Sequence, residues 1–421
     1  MLEISYLREN KKEAIARLKK RNYDFTSVVE QILQIDADRR RTQNELDSQL
    51  AEMNRISKEV GALMQQGKKD EANVAKEKTA ELKNSTKQLQ EKLTEFEAQQ
   101  QQLLYTVPNT PSAIVPEGKT PEENLEVFRH GTIPVLKDAV PHWELAAKHD
   151  LIDFELGVKI TGAGFPVYKG KGARLQRALI NFFLDEATKA GYAETQVPHL
   201  VNEASGYGTG QLPDKEGQMY HAGIDNLYLI PTAEVPLTNI YRDVILKEEE
   251  MPVKLTGYTP CFRREAGSYG KDVRGLNRLH QFDKVEIVQL AHPDDSYRIL
   301  EEMVEHVKGI LMKLGLHFRI IRLCGGDMGF TSALTYDFEV YSAAQEKWLE
   351  VSSTSNFETF QANRLKLRFK DKSGKTRLAH TLNGSALALP RIVAALLENN
   401  QSAEGIRIPE VLVPYTGFDK I

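Results

Sequence analysis

The first third of the chain contains two seams of apolar residues with helical spacing. The first seam contains Ile32, Ile35, Leu46, Leu50, Met53, Ile56, Val60 and Leu63. The second seam repeats every seven residues, at Ala75, Leu82, Leu89, Phe96 and Leu103. This spacing predicts two amphipathic helices that coil around each other with a left-handed twist. The short polar stretch around Gly67 would be the tip between them, so we predict an antiparallel helical hairpin over residues 28–104.

The charges of the predicted hairpin are mixed. Lys68, Lys69 and Lys76 lie near its tip, but Asp70 and Glu71 lie there too. At about 1.5 Å per residue, each arm would be roughly 50 Å long and would need a stable body to project from. Composition therefore leaves three interpretations open: a dimerisation coiled coil, a solvated charged surface, or a nucleic-acid-binding arm.

Proline and glycine mark a boundary after the hairpin. All 17 prolines lie at or after Pro108, and of the 28 glycines only Gly61 and Gly67 precede it. Because both residue types interrupt helices, the change separates a helical domain, residues 1–107, from a body, residues 108–421, with a linker over about 105–125. In the body, strand-like and helical stretches alternate irregularly. This pattern predicts an α+β fold with a mostly antiparallel sheet flanked by helices.

Composition narrows the class of protein. The 421 residues carry a net charge of −4 and two cysteines, Cys261 and Cys324, so we expect neither a disulfide framework nor a cysteine-rich zinc site. A reducing compartment, most simply the cytoplasm, fits this cysteine usage. We expect no transmembrane helix, because no run of about 18 apolar residues occurs, and no signal peptide at the start.

Chemistry-bearing residues gather around positions 260–290. Arg263 and Glu265 are two apart, and Arg278, Phe282 and Glu286 follow at intervals of four. On strands, each set would share one face. Arginine suits phosphate oxygens, and an aromatic ring offers a stacking face for a base. A structural ion pair is the alternative interpretation.

Two further clusters lie downstream. Glu350 and Ser353 could offer hard oxygen ligands to Mg²⁺, although the same stretch could be a serine-rich edge strand. Asn383-Gly384-Ser385 precedes a helix that contains Arg391. Glycine there would allow close approach of a ligand to the backbone, and a plain strand-to-helix turn is the alternative.

Together the clusters resemble the class II aminoacyl-tRNA synthetases. The segment FRREAGSYGKDVRGLNRLHQFDKVE resembles motif 2 of that family, and GSALALPRIVAALLENNQ resembles motif 3. The strings PTAEVPL, EVSSTSNFETFQANR and TLNGSALALPR, with the N-terminal hairpin, are more narrowly similar to the bacterial seryl-tRNA synthetases. The resemblance covers the whole chain. It implies an antiparallel catalytic sheet with a coiled-coil arm.

The resemblance also implies roles for individual residues. The implied serine pocket comprises Thr232, Ala233, Glu234, Glu286, Asn383 and Ser385. The implied ATP-binding residues are Arg263, Arg264, Glu265, Phe282, Glu350, Val351, Ser352, Ser353 and Arg391. The implied catalytic residues are Arg263, Glu265, Arg278 and Arg391, and Glu350 and Ser353 would bind Mg²⁺. Phe282 and Arg391 would sandwich the adenine.

The implied reaction joins L-serine to the terminal adenosine of tRNA(Ser) through a seryl-adenylate, with ATP as co-substrate and without zinc. A homodimer with no membrane partner is implied, and the resemblance leaves open whether tRNA(Sec) is also used. Three alternatives remain: an amino acid:carrier-protein ligase, another class II amino acid specificity, and a coiled-coil interaction protein with an inactive core. The long hairpin argues against the first, and the intact charged residues argue against the third.

Overall fold

The computed structural model describes residues 1–214, 216–265 and 274–421. These described residues divide into two compact units. One comprises residues 2–19 and 23–108, and the other comprises Met1, residues 20–22 and residues 109–421. Within the described ranges, no helix has the length and apolar character needed to cross a membrane.

The helical unit is a hairpin with two short helices beside it. Its helices are α1 (Ile4–Glu9), α2 (Lys11–Lys19), α3 (Thr26–Gln65) and α4 (Lys69–Leu104). Gly67, between α3 and α4, has a φ of +76°, a conformation that glycine adopts without steric cost. The predicted antiparallel hairpin is therefore confirmed.

The seam between α3 and α4 differs in detail from the apolar pattern. Leu50, which the apolar pattern assigns to the seam, is exposed, and the neighbouring Gln49 is partly buried instead. Thr42 and Thr86 are also buried at the seam. The buried carboxylate of Asp36 forms ion pairs with Arg8, Arg39 and Arg40. A charge at a core position is tolerated because these guanidinium groups compensate it, and apolar spacing alone does not show this.

The second unit alternates helices and strands. Its helices are α5 (His142–Lys148), α6 (Phe154–Ile160), α7 (Gly170–Lys189), α8 (Glu203–Thr209), α9 (Glu234–Asn239), α10 (Ser296–Lys313), α11 (Thr359–Leu365), α12 (Leu389–Asn399) and α13 (Val413–Thr416). Its first strands are β1 (Leu125–His130), β2 (Ile152–Asp153), β3 (Val167–Tyr168), β4 (Ala193–Glu194), β5 (Leu200–Asn202), β6 (His221–Ala222), β7 (Leu227–Leu229), β8 (Ile245–Lys247) and β9 (Val253–Phe262). The later strands are β10 (Gln281–Ala291), β11 (Phe318–Arg322), β12 (Leu334–Ser342), β13 (Lys347–Asn356), β14 (Arg368–Lys370), β15 (Thr376–Leu378), β16 (His380–Ala388), β17 (Gln401–Ser402) and β18 (Gly405–Ile406).

The largest sheet within the described residues has eight strands in the order β1-β11-β12-β13-β16-β10-β9-β4. Neighbouring strands are antiparallel except for β4 and β9, which run parallel. The α+β fold with a mostly antiparallel sheet is therefore confirmed.

The two faces of the sheet are covered by different clusters. Along β10, Val285 and Ile287 join the core that α7, α10 and α12 complete, whereas Val288 and Leu290 pack on the opposite side with Leu237 of α9. The period-two alternation of a strand produces this division. Glu286 shares the second face.

Candidate active site

The candidate site lies on the middle of the sheet. Glu286 stands opposite Gly257 of β9 and Ser385 of β16, so strands border it on both sides. Its side chain is 1% exposed. A carboxylate buried this deeply needs partners, because desolvation otherwise costs several kcal/mol.

Two side chains supply those partners. The Thr232 hydroxyl donates to Glu286 Oε2 over 2.9 Å, and Lys284 Nζ lies 2.5 Å from the same oxygen. Lys284 is nearly as buried as Glu286 and precedes it by two residues on the same strand face. Sequence reasoning missed Lys284, although the two-residue spacing within one strand could have indicated it.

Glu234 brings a second buried carboxyl group to the pocket. Its backbone N–H donates to the Thr232 hydroxyl over 3.2 Å, and Gln361 Nε2 donates to its Oε1 over 2.6 Å. Burial, reinforced by the charge of Glu286, raises the pKa of Glu234 to about 7. Gln361 in turn accepts a hydrogen bond from Thr381. Gln361 comes from the separate helix α11, and no spacing in the sequence pointed to it.

We expect Glu234→Gln to stabilise the protein at high pH. Because the pKa of Glu234 is raised from 4.5 in the unfolded chain to about 7, native stability falls as pH rises between these values and then stays constant. The gain from the variant should be absent below about pH 4.5 and reach about 3 kcal/mol above pH 7. Urea unfolding at pH 4.5 and pH 8 measures it. A gain that is equal at both pH values would contradict the burial of an ionisable Glu234.

The nucleotide side of the site begins where β9 ends. Arg263 and Glu265 lie beyond Phe262, and Glu265 has a φ of +49°, so the prediction that they share a strand face is wrong. Arg278 likewise precedes β10, whereas Phe282 and Glu286 do share one face of that strand. Glu265 and Arg278 nevertheless meet, because Arg278 Nε donates to Glu265 Oε2. Residues 266–273 of this motif lie outside the described residues.

The arginines take different positions around Phe282. The Arg263 guanidinium lies 5.2 Å from the centre of the Phe282 ring, and Arg263 Nε donates to the Pro231 carbonyl. Arg264 lies over the ring of Tyr220 instead, at 5.9 Å. Arg263 and Arg264 therefore face different ways.

Arg391 is oriented by main-chain carbonyl groups. Its Nε donates to the Asn277 carbonyl over 3.0 Å, and its Nη1 donates to the Glu350 carbonyl over 2.7 Å. The Glu350 carboxylate is 3.8 Å from the same guanidinium. The Arg391 side chain, from the motif 3 segment, thus connects Asn277 of the motif 2 segment with Glu350 of β13.

The side chains of residues 350–353 have different surroundings. Val351 is buried in the core beneath the sheet, so its side chain is not available to ATP. The Ser352 hydroxyl donates to the Ser385 carbonyl over 2.6 Å and joins β13 to β16. Of the four residues, Glu350 and Ser353 remain as candidates for ligand contact through their side chains.

Glu350 and Ser353 lie near a further carboxyl group. Asp337 pairs with Ser353 across β12 and β13, and burial together with Glu350 raises the pKa of Asp337 well above its usual range. Asp337 Oδ1 is buried and finds no hydrogen-bond donor among the described residues. Nowhere in the described ranges are three or more His, Cys, Asp or Glu side chains grouped to hold a metal ion. Oxygen donors with a buried unsatisfied carboxyl group beside them suit Mg²⁺, with the remaining ligands coming from phosphate or water.

The Asn383-Gly384-Ser385 segment is packed strand rather than an open turn. A Cβ at Gly384 would lie 2.8 Å from Thr354 Oγ1, so glycine here permits close strand packing, not approach of a ligand. Ser385 is opposite Glu286, and Asn383 lies between Val288 and Ser355. Ala233 is fully buried against Leu237 at the start of α9.

Comparison with known proteins accounts for both units. Residues 220–400 match the model of the tRNA synthetase class II core domain (G, H, P, S and T), and residues 1–111 match that of the seryl-tRNA synthetase N-terminal domain. The serine--tRNA ligase of Salinibacter ruber is 50% identical over all of this chain and 99% of its own length. The chain belongs to the seryl-tRNA synthetase family. The serine--tRNA ligase of Akkermansia muciniphila is 48% identical over 100% of this chain and 99% of its own length.

Solved structures agree with this membership of the seryl-tRNA synthetase family. The seryl-tRNA synthetase of Pyrococcus horikoshii complexed with ATP is 31% identical, with a TM-score of 0.89 over 100% of this chain and 99% of its own. A prolyl-tRNA synthetase from Giardia lamblia, with 14% identity and a TM-score of 0.57 over 67% of this chain and 58% of its own, shows the shared fold alone. The resemblance to class II synthetases is confirmed. The match at residues 1–111 argues against the carrier-protein ligase alternative.

Proposed function

We propose that this chain activates L-serine with ATP and transfers the seryl group to the terminal adenosine of tRNA(Ser). The supporting observation is the line of side chains on one face of β10, with Thr232 and Arg263 beside it. Buried Glu286, bonded to Thr232 and Lys284, lies on the same face as Phe282 with the Arg263 guanidinium over it. A polar pocket for an amino acid therefore adjoins a cationic and aromatic surface for a nucleotide.

In the first step, the serine carboxylate attacks the α-phosphorus of ATP. A carboxylate–phosphorus bond forms, the bond to the bridging oxygen of the β-phosphate breaks, and pyrophosphate leaves. We assign Arg263 to the α-phosphate and Arg278 to the leaving phosphates, with Glu265 orienting Arg278 through their ion pair. Fixed positive charge at the reacting phosphorus stabilises the transition state, and positioning supplies the rest.

The adenine would stack on Phe282 with Arg391 on its other side, and Arg264 would complete the nucleotide-binding segment. Glu350 and Ser353 would hold Mg²⁺, with Asp337 behind them. When bound, the ion would neutralise charge on the triphosphate.

In the second step, a terminal ribose hydroxyl of the tRNA attacks the carbonyl carbon of the adenylate, and AMP leaves. Glu286, Thr232 and Glu234 would hold the serine ammonium and hydroxyl groups throughout, with Ala233, Asn383 and Ser385 shaping the pocket. A pocket that hydrogen-bonds a hydroxyl rejects an analogue without it, because its buried polar groups are then left unpaired.

ATP–pyrophosphate exchange across amino acids tests this function. We expect exchange with serine, and a specificity for serine over alanine of about 10⁴–10⁵. Threonine should be rejected because its extra methyl group does not fit the pocket. Better exchange with threonine or glycine than with serine would show that the assigned specificity is wrong.

The helical hairpin is the proposed contact for tRNA. Several charges in its outer half are paired, since Arg55 and Lys78 both contact Glu52 and Lys68 contacts Glu71. Recognition would therefore read the shape and backbone of the long variable arm of tRNA(Ser) more than bulk charge, and tRNA(Sec) is a second candidate. A homodimer and a cytoplasmic location complete the proposal. The latter is consistent with Cys261 and Cys324, which are both buried and unbridged in the described structure.

A further inference from the structure

A buried polar cluster lies behind the nucleotide side of the site. We call it the His142 cluster, and its side chains are His142, Glu398, Ser342 and Gln345. His142, Glu398 and Ser342 are completely buried. His142 Nδ1 lies 2.7 Å from Glu398 Oε1, which also accepts from the His142 backbone N–H and from Gln345 Nε2. The Ser342 hydroxyl donates to Glu398 Oε2.

The geometry fixes the tautomer of His142. The backbone N–H of Leu276 donates to His142 Nε2 over 2.8 Å, so Nε2 carries no proton and Nδ1 donates its own to Glu398. Burial alone would raise the pKa of Glu398, but hydrogen bonds from His142 and Ser342 lower it below its usual value. The carboxylate therefore holds the imidazole in the one orientation that accepts from Leu276.

The cluster reaches the candidate site through residues 276–278. Leu276 is bonded to His142, and the Asn277 side chain donates to Gln345 while its carbonyl accepts from Arg391. Arg278 is the next residue. Arg391 and Glu398 are seven residues apart on α12 and hence on one face of that helix. The helix therefore holds this segment directly through Arg391 and indirectly through the bond of Glu398 to His142.

Gly275 shows how closely the segment packs on His142. Its φ is +66°, and a Cβ there would lie 2.3 Å from His142 Nε2. Arg274 lies over the ring of Trp143, the neighbour of His142 on α5, at 5.6 Å. The segment is therefore seated on α5 as well as on α12.

We propose that His142 is a positioning residue for the ATP site, acting through the Leu276 N–H to place the segment that carries Arg278 and receives Arg391. This inference rests on the proposed function, since it assumes that Arg278 and Arg391 bind ATP. Serine contacts come from other elements, so the effect of His142 should be confined to the nucleotide.

Two substitutions separate the roles of the two ring nitrogens. His142→Gln retains an acceptor near the position of Nε2, whereas His142→Asn retains a donor near the position of Nδ1. We expect His142→Asn to raise the KM for ATP in exchange roughly tenfold while the KM for serine changes less than about twofold. His142→Gln should be milder for ATP. A purely structural role predicts the reverse order, because His142→Asn preserves the partner of the buried Glu398 carboxylate.

Glu398→Gln and Gly275→Ala extend the test. Glu398→Gln permits the opposite tautomer, which sets an N–H against the Leu276 N–H, and Gly275→Ala displaces the ring. Both variants should weaken the binding of ATP and leave the KM for serine nearly unchanged. His306→Asn, at a half-buried histidine on α10, is the control and should change neither KM. Thermal melting identifies a His142 variant that fails to fold. In that case the KM values for ATP and serine are compared in Gly275→Ala instead.

Direct titration of each protein with ATP, without serine, keeps the inference separable from the proposed function. Wild-type protein that binds ATP but shows no serine-dependent exchange would overturn the assigned specificity alone. Equal changes in the KM values for ATP and serine, unchanged ATP binding in His142→Asn, or a milder effect for His142→Asn than for His142→Gln would each overturn the role of His142.

Discussion

Replacing Glu286 by alanine is expected to lower serine-dependent ATP–pyrophosphate exchange by roughly 10²–10⁴-fold. The carboxylate is buried, receives the Thr232 hydroxyl and pairs with buried Lys284. Its removal deprives the proposed serine pocket of its central acceptor. It also leaves the lysine charge unpaired, which for a buried pair costs about 3–5 kcal/mol of folding stability. Initial rates of exchange at saturating ATP, over a range of serine concentrations, measure the effect.

A compensated variant separates lost chemistry from lost folding. Glu286→Gln combined with Lys284→Met removes both buried charges, so the double variant should melt closer to the wild type than Glu286→Ala does. Its exchange activity should nevertheless remain low. Near-normal exchange in either variant would contradict the assignment of Glu286 to the serine pocket.

Deleting most of the hairpin is expected to reduce aminoacylation of tRNA at least about 100-fold while exchange stays within about twofold of the wild type. The deletion removes residues 45–89 and joins the stumps of α3 and α4 with a short glycine-rich turn. It keeps Asp36 with its partners Arg8, Arg39 and Arg40, which a cut nearer the base would lose. All candidate site residues lie in the other unit. Loss of several backbone contacts to tRNA accounts for the size of the effect.

A graded deletion is the control. Removing one seven-residue repeat from each helix, residues 54–60 and 75–81, preserves the seam and shortens the arm by about 10 Å. Its aminoacylation should be intermediate. If the variant that lacks residues 45–89 aminoacylated tRNA at the wild-type rate, the hairpin would be excluded as the tRNA contact.

Sequence alone predicted the secondary structure well where the pattern was long. The 28–104 hairpin follows from sustained periodicity, which few alternatives satisfy. Errors occurred where one side chain decides. Leu50 fits the apolar spacing, yet Gln49 lies at the seam, because the register of a coiled coil depends on the partner helix. Arg278 fits a strand face, but β10 begins only at Gln281.

The candidate site was predictable in composition but not in connectivity. Glu286, Arg263 and Phe282 were found as members of local patterns. Gln361 and His142 were not, because their partners are distant along the chain: Gln361 bonds Glu234, and His142 bonds Leu276 and Glu398. A hydrogen bond between distant segments leaves no periodic signal in one sequence. The close approach of Thr354 to Gly384 is likewise visible only once β13 and β16 are paired.

Arg391 and the proposed serine pocket are held by different kinds of bond. Arg391 is held by the main-chain carbonyls of Asn277 and Glu350, which every amino acid provides. The serine pocket relies on bonds between side chains, as in Thr232 with Glu286 and Gln361 with Glu234. Substitutions can therefore redesign amino-acid recognition without disturbing the orientation of Arg391. A scaffold arranged in this way can acquire a new amino-acid specificity while inheriting its nucleotide chemistry unchanged.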